Sequence, residues 1–212
     1  WFYADNGYLM PGKVEGRYFR ITRNALQVDG RGPASDCGAE RWARLGLTIQ
    51  PWRSNGGHVL VCPPPILFGE THGFSSQDWL RLTIKTLGKH TKRELRIRAK
   101  VRFEHEMPYS LVDRAGQLTA SGLTKFADDL AGAWALVTHS SNVAVEALLA
   151  GYPVFCTARC GASAMASNDL REIENPRIDG DRLHWVGVLA NHQWTLEEMQ
   201  SGLCWKMLNE IS

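Results

Sequence analysis

Neither sign of charge dominates this chain: 24 Lys and Arg stand against 22 Asp and Glu in 212 residues, a formal net charge of +2. A whole-molecule attraction to nucleic acid or to an anionic membrane is thereby excluded, and only local clusters of charge can matter. A bilayer-spanning run is also missing. The longest apolar stretch, Gly132 to Cys156, is interrupted by His139, Ser140, Ser141, Asn142 and Glu146, whereas a spanning helix needs about 20 mostly apolar residues. Cysteine is scarce: the five are odd in number, scattered and mostly beside apolar residues. They read as reduced core thiols in a cytoplasmic setting, not as a disulfide framework. No basic-then-apolar leader precedes Trp1, and a first residue other than Met leads us to expect residues upstream.

Several motifs are absent as well. There is no nucleophile elbow, no Gly-Lys-Thr phosphate loop and no Gly-x-Gly-x-x-Gly fingerprint, which sets aside serine hydrolases, NTPases and simple dehydrogenases. Cys156-x-x-x-Cys160 has no second pair, and His184 and His192 lack a zinc spacing, so neither a metal nor a resident cofactor is expected. No two carboxylates stand in a glycosidase spacing. Internal repeats and low-complexity tracts are lacking too.

What remains is an ordinary globular composition with 44% hydrophobic residues, long enough for one large domain or two small lobes. The first third is irregular: a short aromatic strand ends at Asp5-Asn6-Gly7, a second covers Tyr18 to Thr22, and Asp29 to Gly38 is Gly/Pro-rich loop. From His58 the texture changes. His58 to Cys62 is a continuous apolar run stopped by three prolines, as in a buried parallel strand. Ser75 to Asp78 caps an amphipathic helix carrying Leu80, Ile84 and Leu87. Leu95 to Phe103 alternates strictly, with Arg96, Arg98, Lys100 and Arg102 on one face, which predicts a strand with a basic side. A helix at Gly122 to Leu130, a strand at Ala135 to Thr138, a helix at Val143 to Ala150 closed by Gly151, and a strand from Pro153 to Cys156 follow. A capped terminal helix runs from Thr195 to Ile211. Such alternation builds an α/β fold, a Rossmann-like parallel sheet flanked by helices with ligands at the carboxyl ends of its strands.

The strongest local signal is Ala135 to Phe155. A buried strand delivers the chain to small polar residues and a helix begins at once, so backbone N–H groups and the positive end of the helix dipole face the loop. Ser140 and Ser141 add hydroxyl donors, and Asn142 suits the N-cap. The same residues would serve equally as a plain helix cap. In the basic strand, Arg98 and Lys100 would reach a ligand at the carboxyl end and neutralise phosphate. The alternatives for that strand are an edge protected by charge and a groove for a nucleic-acid backbone, enlarged by Lys89, His90, Lys92 and Arg93. Trp52, Trp79, Trp185 and Trp194, near the ends of elements, suit either stacking on a sugar or base or core packing.

The stretch SSNVAVEALLAGYPVF resembles the phosphate-loop helix of the donor-binding lobe in glycosyltransferases of the two-Rossmann-lobe (B-type) fold, including capsule-polysaccharide and Kdo-transferase-like enzymes. It is also similar to the matching element of the UDP-N-acetylglucosamine 2-epimerases. The resemblance implies that Ser140, Ser141 and Asn142 bind the donor phosphates, that Glu146 binds the ribose hydroxyls, and that Gly151-Tyr152-Pro153-Val154 leads into the next strand. It departs from the epimerase pattern where Ser141 and Asn142 carry side chains in place of glycines. It further implies a reduced or truncated amino-terminal, acceptor-side lobe in residues 1–57 and a nucleotide-sugar-binding domain with the C-terminal helix in residues 58–212. Glycosyl transfer needs a base for the acceptor hydroxyl, and the candidates are Asp5, His105 and His139. The opening YADNGYL and the closing NHQWTLEEMQSG resemble phage-encoded proteins of this group. A phage source would make modified DNA bases an acceptor, whereas an epimerase would need none. The partners implied are a nucleotide-sugar, an unidentified acceptor and, through the basic strand, nucleic acid; a homo-oligomer is compatible with all of this.

Overall fold

The computed structural model describes residues 1–9, 18–32, 36–100, 117–120 and 124–210. Its elements are β1 (Phe2–Asn6), β2 (Phe19–Arg23), α1 (Asp36–Arg44), β3 (His58–Cys62), α2 (Ile66–Thr71), α3 (Ser76–His90), β4 (Glu94–Ala99) and β5 (Gln117–Ala120). They continue with α4 (Phe126–Leu130), β6 (Ala133–Thr138), α5 (Val143–Leu149), β7 (Val154–Cys156), α6 (Arg182–Ala190), β8 (Gln193–Trp194), α7 (Leu196–Gln200) and α8 (Leu203–Glu210). Among the described residues no helix is long and apolar enough to cross a membrane. The chain divides into two compact units, one comprising Gln50–Ala158 and Ala166–Ile178, the other Trp1–Ile49, Arg159–Met165 and Asp179–Ser212.

The first unit is an α/β layer built on a five-stranded sheet in the order β5-β4-β3-β6-β7, every adjacent pair parallel. All five residues of β3 are buried, which explains why its sequence is apolar without alternation. One face of the sheet, Val59, Val61, Leu95, Ile97, Ala135 and Val137, packs on Leu80 and Leu87 of α3 in a single apolar cluster. Ser75 begins α3 as the sequence requires, its Oγ accepting from the Asp78 N–H at 3.1 Å. Opposite faces alternate along a strand, so Cys62, Arg98 and Thr138 lie on the other side, toward α4 and α5. β4 is interior, paired with β3 and β5, so it is not the charge-protected edge that its sequence allowed. The described part of α4 starts at Phe126, four residues after the expected start, because Lys125 is extended. Gly151 takes φ +84° where α5 ends, and a Cβ there would collide with the Pro51 carbonyl oxygen.

The second unit centres on a three-stranded antiparallel sheet in the order β1-β2-β8, with Phe19 opposite Trp194 and Arg20 opposite Gln193. Tyr8, Trp185 and Trp194 are wholly buried in it. Arg41 of α1 is buried and donates to the carbonyls of Ala190 (2.8 Å) and Gln193 and to Glu198 (2.5 Å). The single terminal helix expected from sequence is two, α7 and α8, separated at Gly202 with φ +80°. A capping box of Thr195 and Glu198 opens α7. Sequence order placed the C-terminal helix with the nucleotide-binding domain; by contact, α6, β8, α7 and α8 group with Trp1–Ile49, because β8 pairs with β2 and α6 packs on α1.

Candidate functional site

In the order β5-β4-β3-β6-β7, the chain builds outward from β3 to β5 and then returns to β3's other side at β6. The carboxyl ends of β3 and β6 therefore flank a topological switch point, the place where open α/β sheets hold ligands. Residues 139–142 leave β6 at this point and enter α5. Asn142 already has helical dihedrals, φ −63° and ψ −20°, and its side chain makes no capping bond to the helix. It therefore does not act as the plain N-cap that its identity allowed, which would be extended and bonded to the first turn. The first turn closes instead through the backbone, Ala144 N–H to Ser141 O at 3.1 Å and Val145 N–H to Asn142 O at 2.9 Å. Ser140, Ser141 and Asn142 are all partly exposed.

His139 is partly buried and held by its backbone, its Nδ1 and its ring. Its carbonyl accepts from the Ala158 N–H at 3.0 Å and Nδ1 lies 3.0 Å from Ser140 Oγ. Its ring stacks on Phe74 at 4.5 Å between centroids, with the edges of Phe68 and Trp79 each at 6.2 Å. His72 in turn stacks on Phe68 at 4.0 Å. Trp79 is anchored by its indole N–H, which donates to Thr157 Oγ1 at 2.7 Å. Burial, reinforced by the charge on His72, holds the His139 pKa below the ordinary imidazole value. The ring is therefore neutral at pH 7 and able to accept a proton.

On the opposite face, Arg98 and Asp129 form an ion pair with both side chains under a tenth exposed. Thr124 completes it: its Oγ1 accepts from Arg98 Nη1 at 2.8 Å and donates to Asp129 Oδ2 at 2.7 Å. Glu146, in the first turn of α5, is exposed, yet the surrounding protein desolvates its carboxyl enough to raise its pKa, with the Arg98 charge opposing. Cys62 lies between, and burial pushes its thiol up to about 12.

Lys100 follows β4 directly and is exposed. Asp5 lies in the antiparallel unit, on β1, where Arg20 holds its carboxylate at 2.6 Å. His105 and Arg102 fall outside the described residues. The structure thus brings His139, Ser140, Ser141, Asn142 and Glu146 together at the switch point. Sequence reading missed Phe68, His72, Phe74, Thr124 and Asp129. The three rings from Phe68 to Phe74 fall within seven residues just past the prolines that close β3, a signal that could have marked the site's rim.

The parallel sheet with helices on both faces defines a Rossmann-like α/β fold. Solved structures that share the fold include two from Thermosulfurimonas dismutans: KpsC, described as a beta Kdo 2,7 transferase, and KpsC, described as a beta Kdo 2,4 transferase. The first is 13% identical with a TM-score of 0.55, covering 100% of this chain and 78% of that one. For the second the figures are 12%, 0.52, 88% and 70%. No protein-family model matches the chain, and no curated protein does.

Proposed function

We propose that the chain is a glycosyltransferase that binds a nucleotide-sugar at the switch point between β3 and β6. The observation that carries this reading is the loop from His139 to Asn142, which places a neutral histidine, two hydroxyls and the start of α5 at the one position where this sheet order opens a crevice. In this reading Ser140, Ser141 and Asn142 take the phosphates, with Lys100 contributing charge from the end of β4. Glu146 accepts hydrogen bonds from the ribose hydroxyls, as its ionised carboxylate is suited to do. His139, neutral and oriented by Ser140, accepts the proton of the acceptor hydroxyl. The likeness to two Kdo transferases supports the reaction class at the level of fold.

The nucleic-acid reading of the basic strand loses support, since Arg96 bonds to Glu94 at 2.9 Å and Arg98 is buried against Asp129. The test is a thermal-shift panel of UDP, CMP, GDP, ADP, dTDP and their sugar conjugates on wild type and Glu146→Ala. A ligand at about 100 times its Kd adds about 2.7 kcal/mol, a rise of roughly 5–10 °C. A rise with one nucleotide, lost in Glu146→Ala, supports the reading; no rise with any of them ends it. Sugar released or epimerised without an acceptor would replace the transferase by an epimerase.

A further inference from the structure

The antiparallel unit has a cavity of about 50 Å³, lined by Tyr18, Leu45, Gln193, Glu198 and two arginines of α1, Arg41 and Arg44. One water needs roughly 10–15 Å³ of such space, so there is room for a group the size of a carboxylate. Gln193 is 1% exposed, and the two ends of its amide differ. Oε1 accepts from the Leu9 N–H at 2.8 Å, which fixes the amide's orientation, whereas Nε2 has no hydrogen-bond partner among the described residues. A buried donor left unpaired is costly, so an acceptor belongs beside it. Gly7 lets Tyr18 stand close by: a Cβ on Gly7 would lie 2.9 Å from Tyr18 Cβ and 3.0 Å from Gln193 Oε1. The charges of the lining divide unequally. Arg41 and Glu198 form a bidentate pair, Nη1 to Oε1 at 2.5 Å and Nη2 to Oε2 at 3.1 Å, and cancel. Arg44 is paired only loosely, with Glu40 one helical turn back at 3.9 Å, the side chains 72% and 70% exposed, where water screens them. The cavity therefore offers one positive charge, an amide N–H and a phenol hydroxyl, a set that suits a monoanion with two oxygens. A phosphate dianion would bring a second negative charge against the Glu198 carboxylate.

We propose that this cavity binds the carboxylate of a small organic acid, with Gln193 Nε2 and the Tyr18 hydroxyl donating to its oxygens and Arg44 matching its charge from the solvent side. Arg41 and Glu198 form the wall, and Arg41 holds Gln193 in place by donating to its backbone carbonyl. The site uses no residue assigned to the nucleotide-sugar and stands whether or not that reading does.

The experiment follows the Gln193 side-chain NH₂ in ¹H–¹⁵N NMR spectra of the whole chain at pH 7, assigned by its loss in Gln193→Met, while sodium acetate is added at constant ionic strength against sodium chloride. A saturating shift is expected with acetate and none with acetamide, its neutral isostere. Arg44→Gln, at an exposed position, should weaken acetate binding about tenfold, and Tyr18→Phe about threefold. If Gln193→Met does not fold, the line width of ¹³C-carboxyl acetate, which needs no assignment, gives the same comparison in wild type, Arg44→Gln and Tyr18→Phe. No saturable response to acetate means that the cavity holds water alone, and overturns the proposal. An equal response to acetamide, tighter binding of inorganic phosphate than of acetate, or unchanged acetate affinity in both Arg44→Gln and Tyr18→Phe overturns it as well.

Discussion

The imidazole of His139 and the ring of Phe74 lie face to face, 4.5 Å apart and 18° from parallel. Phe74 comes from the segment joining α2 to α3, so the turn between these helices supplies the wall against which the loop after β6 sets its histidine. Desolvation by that wall outweighs the attraction an aromatic face offers an imidazolium. Replacing Phe74 with Ala should readmit water and raise the His139 pKa toward its ordinary value, visible as a displaced Cε1 proton titration in NMR. An unchanged titration would show that Phe74 does not set the ring's charge.

Stability should decline on acidification in two stages. His58, His139 and His192 all have pKa values lowered by burial, so below about pH 6.5 the unfolded chain binds more protons than the native one and stability is lost as pH falls through the native values. Glu174, bonded to Thr91, and Glu198, bonded to Arg41, have lowered pKa values and extend the loss below about pH 4.5. Glu146, whose pKa is raised, works in the opposite sense. Urea unfolding from pH 8 to pH 4 measures the profile, and His192→Gln should flatten its upper stage.

Arg41→Met should destabilise the antiparallel unit by about 3–5 kcal/mol, because it removes the cation paired with Glu198 and the donors to the carbonyls of Ala190 and Gln193. The double variant Arg41→Met/Glu198→Gln should recover part of that loss. Denaturant midpoints of the two variants give the comparison.

Gly151→Ala should cost at least about 2 kcal/mol, since the left-handed backbone disfavours any Cβ and the Pro51 carbonyl blocks it. Gly202→Ala has the same kind of φ with nothing within 4 Å of its Cβ, so it should cost only about 1 kcal/mol. The difference between their melting temperatures separates collision from backbone strain.

The parallel layer was legible because its signals are local. An unbroken apolar run marked β3, and strict alternation marked β4 with its two faces assigned correctly. Alternation reports which residues share a face but not what covers that face. The basic side therefore read as a ligand or solvent surface, whereas α4 brings Asp129 onto Arg98. Helix α6 escaped notice because its apolar residues run from Leu183 to Ala190, with Leu183 exposed and the rest mostly buried, and leave no polar stripe to set a period. The aromatic surround of His139 comes from α2, α3 and the turn between them, some 60–70 residues earlier in sequence, and no spacing rule connects them to it.

The pairing of Phe19 with Trp194 places the order of events during synthesis under constraint. Strands β3 to β7 lie between His58 and Cys156 and can assemble while translation is still under way. The antiparallel sheet cannot close until residues 193–194 have left the ribosome, so β1 and β2 wait through most of elongation as a two-stranded ribbon, which alone is marginally stable. A nascent chain stalled before that point would hold a formed parallel layer and an unfinished antiparallel sheet, and protease sensitivity should be concentrated in residues 1–49.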